Sequence, residues 1–419
     1  MKTTSGFLHY NTKILLFTVI FVLPAQILYC QNSDNTRNKE QKEYSTKQAI
    51  SFNAQLHTAA FSGLAFMTGT FGADCFFPPG KAADLFGFQY MRDNDKNRSG
   101  HSTDFLTLIA NNVFFILSNE QLEQFAALAS VQARLYENFA FKRMALIKAF
   151  RQQMENNVPL PGTKLDKAAV LEFCSELYEL DAEITYERAI VTGKIINSFT
   201  YQQKKQLSEL EFGNSATWKM LPEKLEKRKY PHREHVCIMT YASELFSWYS
   251  GNQNADVYFC PERHCTYFGG FYLKDFPAMG KHNFNISTSL TGDTGKDFIS
   301  LLTKEQSALL KKTIADAEPV LSHIVEVRTS LSLELRKALN NASPDKDTIY
   351  ALFKQYGRYD GELSYNCAEC YSEIFNSLTG QQKKEMMELR GLDIYPEGAF
   401  MFSDKIEVPA EIKTDFLFR

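Results

Sequence analysis

Asp181–Leu207 reads DAEITYERAIVTGKIINSFTYQQKKQL, and Asp360–Met386 reads DGELSYNCAECYSEIFNSLTGQQKKEM. The two stretches align without a gap, and 12 of their 27 positions are identical, where average composition gives about two. A second pair agrees in order: Asp74–Asp93 (DCFFPPGKAADLFGFQYMRD) aligns on Asp256–Asp275 (DVYFCPERHCTYFGGFYLKD). The offsets, 179 and 182 residues, predict one unit occurring twice in tandem.

Around these blocks each unit reads as the same series. A short helix opens it (Ile50–Thr68, then Glu234–Ser250), followed by a Pro/aromatic segment and a polar loop. Two long helices then form a hairpin: about Asn119–Asn156 with Leu165–Phe199, and about Lys304–Leu339 with Lys346–Leu378. Apolar residues at three- and four-residue steps support them, as in Phe125, Leu128, Val131, Leu135 and Phe139, which share one helical face. Strand-like alternation is confined to Val257–Phe259 and Phe271–Leu273. The expected fold is all-α, a tandem duplication of a unit with a long antiparallel helical hairpin and a Pro/aromatic loop segment. The expected divisions are a signal peptide over 1–30, a disordered polar segment over 31–49, repeat units over 50–212 and 233–419, and a linker over 213–232.

Composition bounds the function. Net charge is −3 over 419 residues, which argues against nucleic acid as a partner, since such proteins carry a basic domain or stripe. At the N-terminus Lys2 and Lys13 precede the apolar run Ile14–Leu23, which Pro24 breaks. Ten residues are too few to span a bilayer, so the run reads as a signal peptide. The mature chain is expected to be secreted or periplasmic, without a transmembrane span. Lipid anchoring at Cys30 is the weaker alternative, because Tyr29 fits a lipobox poorly. In an oxidising compartment Cys260 and Cys265 are the candidate disulfide, whereas a bridge between Cys367 and Cys370 would strain the helix on which they lie.

Four helices begin alike: Leu117-Ser-Asn-Glu-Gln121, Phe199-Thr-Tyr-Gln-Gln203, Leu302-Thr-Lys-Glu-Gln306 and Leu378-Thr-Gly-Gln-Gln382. Each satisfies the rule for a capping box, in which the Ser or Thr accepts from the third helical amide and the Gln answers. The pattern also resembles the LTxxQ motif of the periplasmic Spy/CpxP family. That resemblance implies an exported protein built of helical hairpins, acting as an ATP-independent chaperone, a stress regulator or a metal-responsive sensor.

Polar residues that recur at matched places are the candidates for chemistry. Arg143 and Arg328 are expected to pair within each hairpin with Glu183 and Glu362, beside Tyr186 and Tyr365. Phe86, Tyr90 and Asp93, with Phe268, Tyr272 and Asp275, are the candidate lining of an aromatic groove between the units, flanked by carboxylates. No Walker A loop, GxGxxG, GxSxG or HExxH sequence occurs. Their absence does not exclude an enzyme, but the expected function is a non-enzymatic, chaperone-like binding protein of the cell envelope, possessing no cofactor, with a polypeptide or a small apolar ligand as partner. The alternative is a protein that binds a divalent metal such as zinc or copper through His57, His101, His235 and His282, residue types that suit those ions.

Overall fold

The computed structural model describes residues 45–68, 84–96, 103–226, 229–259, 294–390, 399–402 and 404–419. The chain runs through helices α1 (Thr46–Ala49), α2 (Phe52–Thr68), α3 (Phe88–Asp93), α4 (Thr103–Ile116), α5 (Asn119–Met154), α6 (Lys167–Asn197) and α7 (Tyr201–Ser208). It continues through α8 (His232–Ser250), α9 (Gln253–Val257), α10 (Thr294–Leu301), α11 (Lys304–Leu335), α12 (Lys346–Ser377) and α13 (Gly380–Arg390). A two-stranded antiparallel hairpin, β1 (Ala399–Met401) and β2 (Asp404–Ile406), follows. The fold is all-α with this small addition. No described helix is long and apolar enough to cross a membrane.

The expected strand at Val257–Phe259 is instead the end of α9 and an irregular exit, and Phe271–Leu273 lies outside the described residues. The strands that do form were not anticipated, nor was α4.

Local chemistry sets the helix boundaries. Ser118, Thr200 and Thr303 each close a capping box with the Gln three residues on, and Thr379 does the same with Gln382. α6 and α12 start on Asp N-caps: Asp166 accepts from Ala169 N at 2.7 Å and Asp345 from Thr348 N at 2.8 Å. Each long hairpin turns through an Asn in the left-handed region, Asn156 (φ 55°) and Asn341 (φ 58°), a conformation that Asn tolerates better than most residues.

The four Gln side chains do more than cap. Gln121 Oε1 accepts from Ser118 N at 2.9 Å and from Gln203 Nε2 at 2.6 Å, while its own amide donates to Ser198 Oγ at 2.9 Å. Gln203 Nε2 also reaches Ile116 O at 2.9 Å. The second hairpin repeats this atom for atom. Gln306 Oε1 accepts from Thr303 N (2.9 Å) and Gln382 Nε2 (2.8 Å), its amide donates to Ser377 Oγ (2.9 Å), and Gln382 Nε2 reaches Leu301 O (2.7 Å). Each clasp ties the start of one long helix to the end of its partner and to the helix after it. A capping box accepts Glu as readily as Gln, but only an amide can both accept and donate.

Residues 42–419 form one compact unit. The opening helix of each half packs on the other half's hairpin: α8 lies against α4 and α5, and α2 lies against α10 and α11. The two larger hydrophobic cores consequently mix the halves. One joins Phe125 and Phe139 to Tyr241, Ile324 and Phe353; the other joins Phe66 and Phe150 to Ile314, Tyr371 and Phe418. The last residues pair with the first hairpin's turn, where Lys164 and Arg419 exchange backbone hydrogen bonds of 2.9 Å.

α6 and α12 run antiparallel against one another, and glycine sets their spacing. A Cβ on Gly357 would stand 2.4 Å from Cys174 O, and one on Gly361 would stand 2.8 Å from Cys174 Cβ. Lys167–Glu362 (2.7 Å), Arg358–Glu172 (2.5 Å) and Lys354–Glu179 (2.6 Å) line the exposed edge of this seam, where each pair contributes about 0–1 kcal/mol.

Two outcomes follow for stability, both measured by urea unfolding. Gly357→Ala should lose about 1–3 kcal/mol through overpacking, whereas Gly380→Ala, with nothing within 4 Å, should be neutral or gain up to about 1 kcal/mol. Gln203→Glu keeps a capping acceptor but removes two buried donations, and should cost about 1–3 kcal/mol. The same change at exposed Gln48 in the capping box of α1 should cost little.

Candidate functional site

Two buried polar systems and one cavity stand out. The first system centres on Arg328, which is fully buried on α11. Its Nε donates to Val257 O (2.9 Å), Nη1 to Asp84 Oδ1 (2.9 Å) and Tyr356 OH (3.1 Å), and Nη2 to Asp256 O (2.8 Å) and Tyr258 O (3.1 Å). All five guanidinium protons are thus engaged. Burial opposes the charge, but the Asp84 carboxylate and the Tyr356 hydroxyl together more than offset it, and the pKa rises. Beside it the Asp256 carboxylate takes Ser332 Oγ at 2.6 Å and Arg336 Nη2 at 2.9 Å, yet burial still pushes its pKa up.

This arrangement corrects the expected Arg328–Glu362 pair. Arg328 points into the interior, whereas Glu362 lies at the seam and pairs with Lys167. Tyr186 likewise faces Lys346, whose ammonium lies 5.3 Å from the ring centroid. Arg143 is fully buried, while Glu183 is only half-buried.

The second system is the ion pair Arg188–Glu244 at 2.6 Å, both side chains buried. The rings of Tyr241, Phe86 and Tyr136 surround the guanidinium at 4.8, 5.4 and 5.6 Å. These contacts give Phe86 its place: it is core, packed edge-on against Trp248 at 5.2 Å. Tyr90 is half-buried and meets the Tyr258 ring at 5.3 Å. Asp93 is buried and accepts from Tyr258 OH at 3.0 Å. Among the described residues, Phe86, Tyr90 and Asp93 therefore pack in the region around α3 and α9. Their counterparts Phe268, Tyr272 and Asp275 lie outside the described residues.

The histidines proposed as metal ligands are mostly beyond description as well. His101 and His282 lie outside the described residues, as does the His57 side chain; His57 itself is on α2. His235 is buried, its Nε2 3.4 Å from Glu223 Oε1. Among the described residues no three His, Cys, Asp or Glu side chains gather as a metal site would require. Cys260 and Cys265 lie outside the described residues. Cys174, Cys237, Cys367 and Cys370 are free thiols.

The cavity lies where α2 crosses the second hairpin. Leu310, Ile314, Ala317 and Leu321 of α11, Leu363 of α12, and Phe259 form its apolar wall. Gln55, Thr58 and Ser62 of α2, with Thr313, Cys367 and Tyr371, supply its polar atoms. The void is small, about 50 Å³, and opens to solvent. Because α2 comes from the first half and α11 and α12 from the second, the exchange of opening helices creates this cavity. The G-x-x-x-G spacing at Gly357 and Gly361 is the sequence signal for the close helix approach beside it. No comparable short motif marks the cavity itself.

Comparison of the chain with protein-family models, with curated proteins and with solved structures gives no match.

Burial pushes the Cys367 thiol up to about 12. The lost thiolate fraction outweighs the greater nucleophilicity of a more basic sulfur. In peptide mapping after iodoacetamide treatment at about pH 8, Cys367 should therefore react on the order of 10²-fold more slowly than an ordinary cysteine, with a rate that climbs as pH rises.

Proposed function

We propose that this chain is an exported, non-enzymatic binding protein that holds a small apolar ligand in the cavity between α2, α11 and α12. The observation that carries this reading is the cavity wall, which is hydrocarbon over most of its surface and lies at the junction of the two halves. Such apolar concavities with a few polar groups are where small molecules bind. The signal-like N-terminal sequence supports export to the envelope.

A small ligand is favoured over a polypeptide because, among the described residues, the large apolar side chains left exposed lie on different elements. Val131 is on α5, Tyr201 on α7 and Leu333 on α11, and single exposures of this kind need no partner. The recurrence of clasps, Asp caps and left-handed Asn turns in both hairpins supports the reading of the chain as two copies of one unit. The clasped Gln residues are also the feature shared with the Spy/CpxP-like motif.

Filling the cavity tests the reading. N-phenyl-1-naphthylamine, a neutral apolar fluorophore, should bind the protein saturably and brighten. Ala317→Trp, which places an indole in the void, should weaken that binding by at least about tenfold with an unchanged helical circular dichroism spectrum. Undiminished binding in the variant would place the ligand elsewhere.

A further inference from the structure

Residues 412–419 belong to the second half by sequence and to the first half by their polar contacts. Asp166 N donates to Leu417 O at 2.8 Å, beside the paired backbone bonds between Lys164 and Arg419. Thr414 Oγ1 donates to Gln152 Oε1 at 2.6 Å, and Ile412 O accepts from Lys148 Nζ at 2.8 Å. Arg419 Nε lies 3.5 Å from Asp166 Oδ2. Leu417 and Phe418 are buried, and the Phe416 ring meets that of Phe173 at 5.5 Å. Lys148, Gln152, Lys164, Asp166 and Phe173 come from the end of α5, the turn after it and the start of α6. They form one seat at the turn of the first hairpin.

The chain leading to this anchored arm is of a different kind. Residues 407–411 (Glu-Val-Pro-Ala-Glu) are all exposed and have no regular structure. Pro409 disfavours helical backbone at Val408, which keeps the connector extended, and five extended residues span about 17 Å. An exposed connector that ends in a buried anchor suits exchange between copies, because the seat's contacts are the same whichever copy fills it. In dilute solution the tether gives the chain's own arm the higher effective concentration. That advantage falls as the protein is concentrated.

We propose that residues 412–419 also dock in trans, so that the partner this seat fits is the same segment of a second copy of the chain. Two copies that exchange arms reciprocally close a dimer.

Disulfide trapping tests the exchange. Lys164 and Arg419 form a hydrogen-bonded antiparallel pair, whose Cα separation of about 5.5 Å suits a disulfide. Lys164→Cys and Arg419→Cys are prepared as separate proteins, mixed in equal amounts at about 1 mM, near the effective concentration of a short tether, and mildly oxidised. A 164–419 disulfide in this mixture forms only between chains. The control mixes Arg419→Cys with Tyr201→Cys, an exposed position at the start of α7, beside the clasp at the opposite end of α5. Peptide mapping should find the 164–419 disulfide at a yield at least about tenfold above the 201–419 disulfide. The double variant Lys164→Cys/Arg419→Cys should close the bond within one chain in dilute solution. Equal yields from the two mixtures, with the double variant closing normally, would overturn the exchange. A double variant that does not close would overturn the seating of the arm, and the exchange with it.

Discussion

The backbone contact between α6 and α12 is the constraint on which the rest of the structure depends. Gly357 and Gly361 let one helix approach the Cys174 turn of the other so closely that a single added methyl would collide with a carbonyl oxygen. At that separation Tyr178 and Tyr356 meet ring to ring at 5.1 Å, and the Tyr178 hydroxyl donates to buried Asp360. Widening the seam by the breadth of a side chain would break this contact and draw each hairpin away from the opposite half's opening helix. The ion pairs along the exposed edge are too weak, at about 0–1 kcal/mol each, to set the spacing. Packing sets it, and the charges follow.

Within that frame the buried polar groups specify arrangement more than they add stability. A buried ion pair roughly balances attraction against desolvation, but removing one partner costs about 3–5 kcal/mol. Arg328 joins α11 to Asp84 and to the exit of α9, and Arg188 joins α6 to α8. The Arg328–Asp84 and Arg188–Glu244 links each span the two halves of the sequence. An alternative packing that parted either pair would strand a charge in the core, which restricts the chain to the exchanged arrangement.

Features set by local chemistry were legible in the sequence, and features set by distant partners were not. The starts at Ser118, Thr200, Thr303 and Thr379 are readable because a cap needs only three consecutive residues to follow it. Gln203 and Gln382 could be recognised as capping residues, but their reach to Gln121 and Gln306 required knowledge of which helix ends meet. The anticipated Arg328–Glu362 pair failed for the same reason, since spacing along a helix cannot tell an inward face from a seam edge. Phe86 and Tyr90 lie in a Pro/aromatic segment, and their contacts with Arg188 and with the Tyr258 ring could not be read from the sequence. The cavity was hidden because it forms only when α2 crosses to the other half's hairpin.

The central claim is that the two halves interlock into one cooperative body. Differential scanning calorimetry of the whole protein tests it most directly. Shared cores and exchanged helices predict a single endotherm whose calorimetric and van't Hoff enthalpies agree. Two separable endotherms, or a van't Hoff enthalpy about half the calorimetric one, would show the halves unfolding independently and contradict the account.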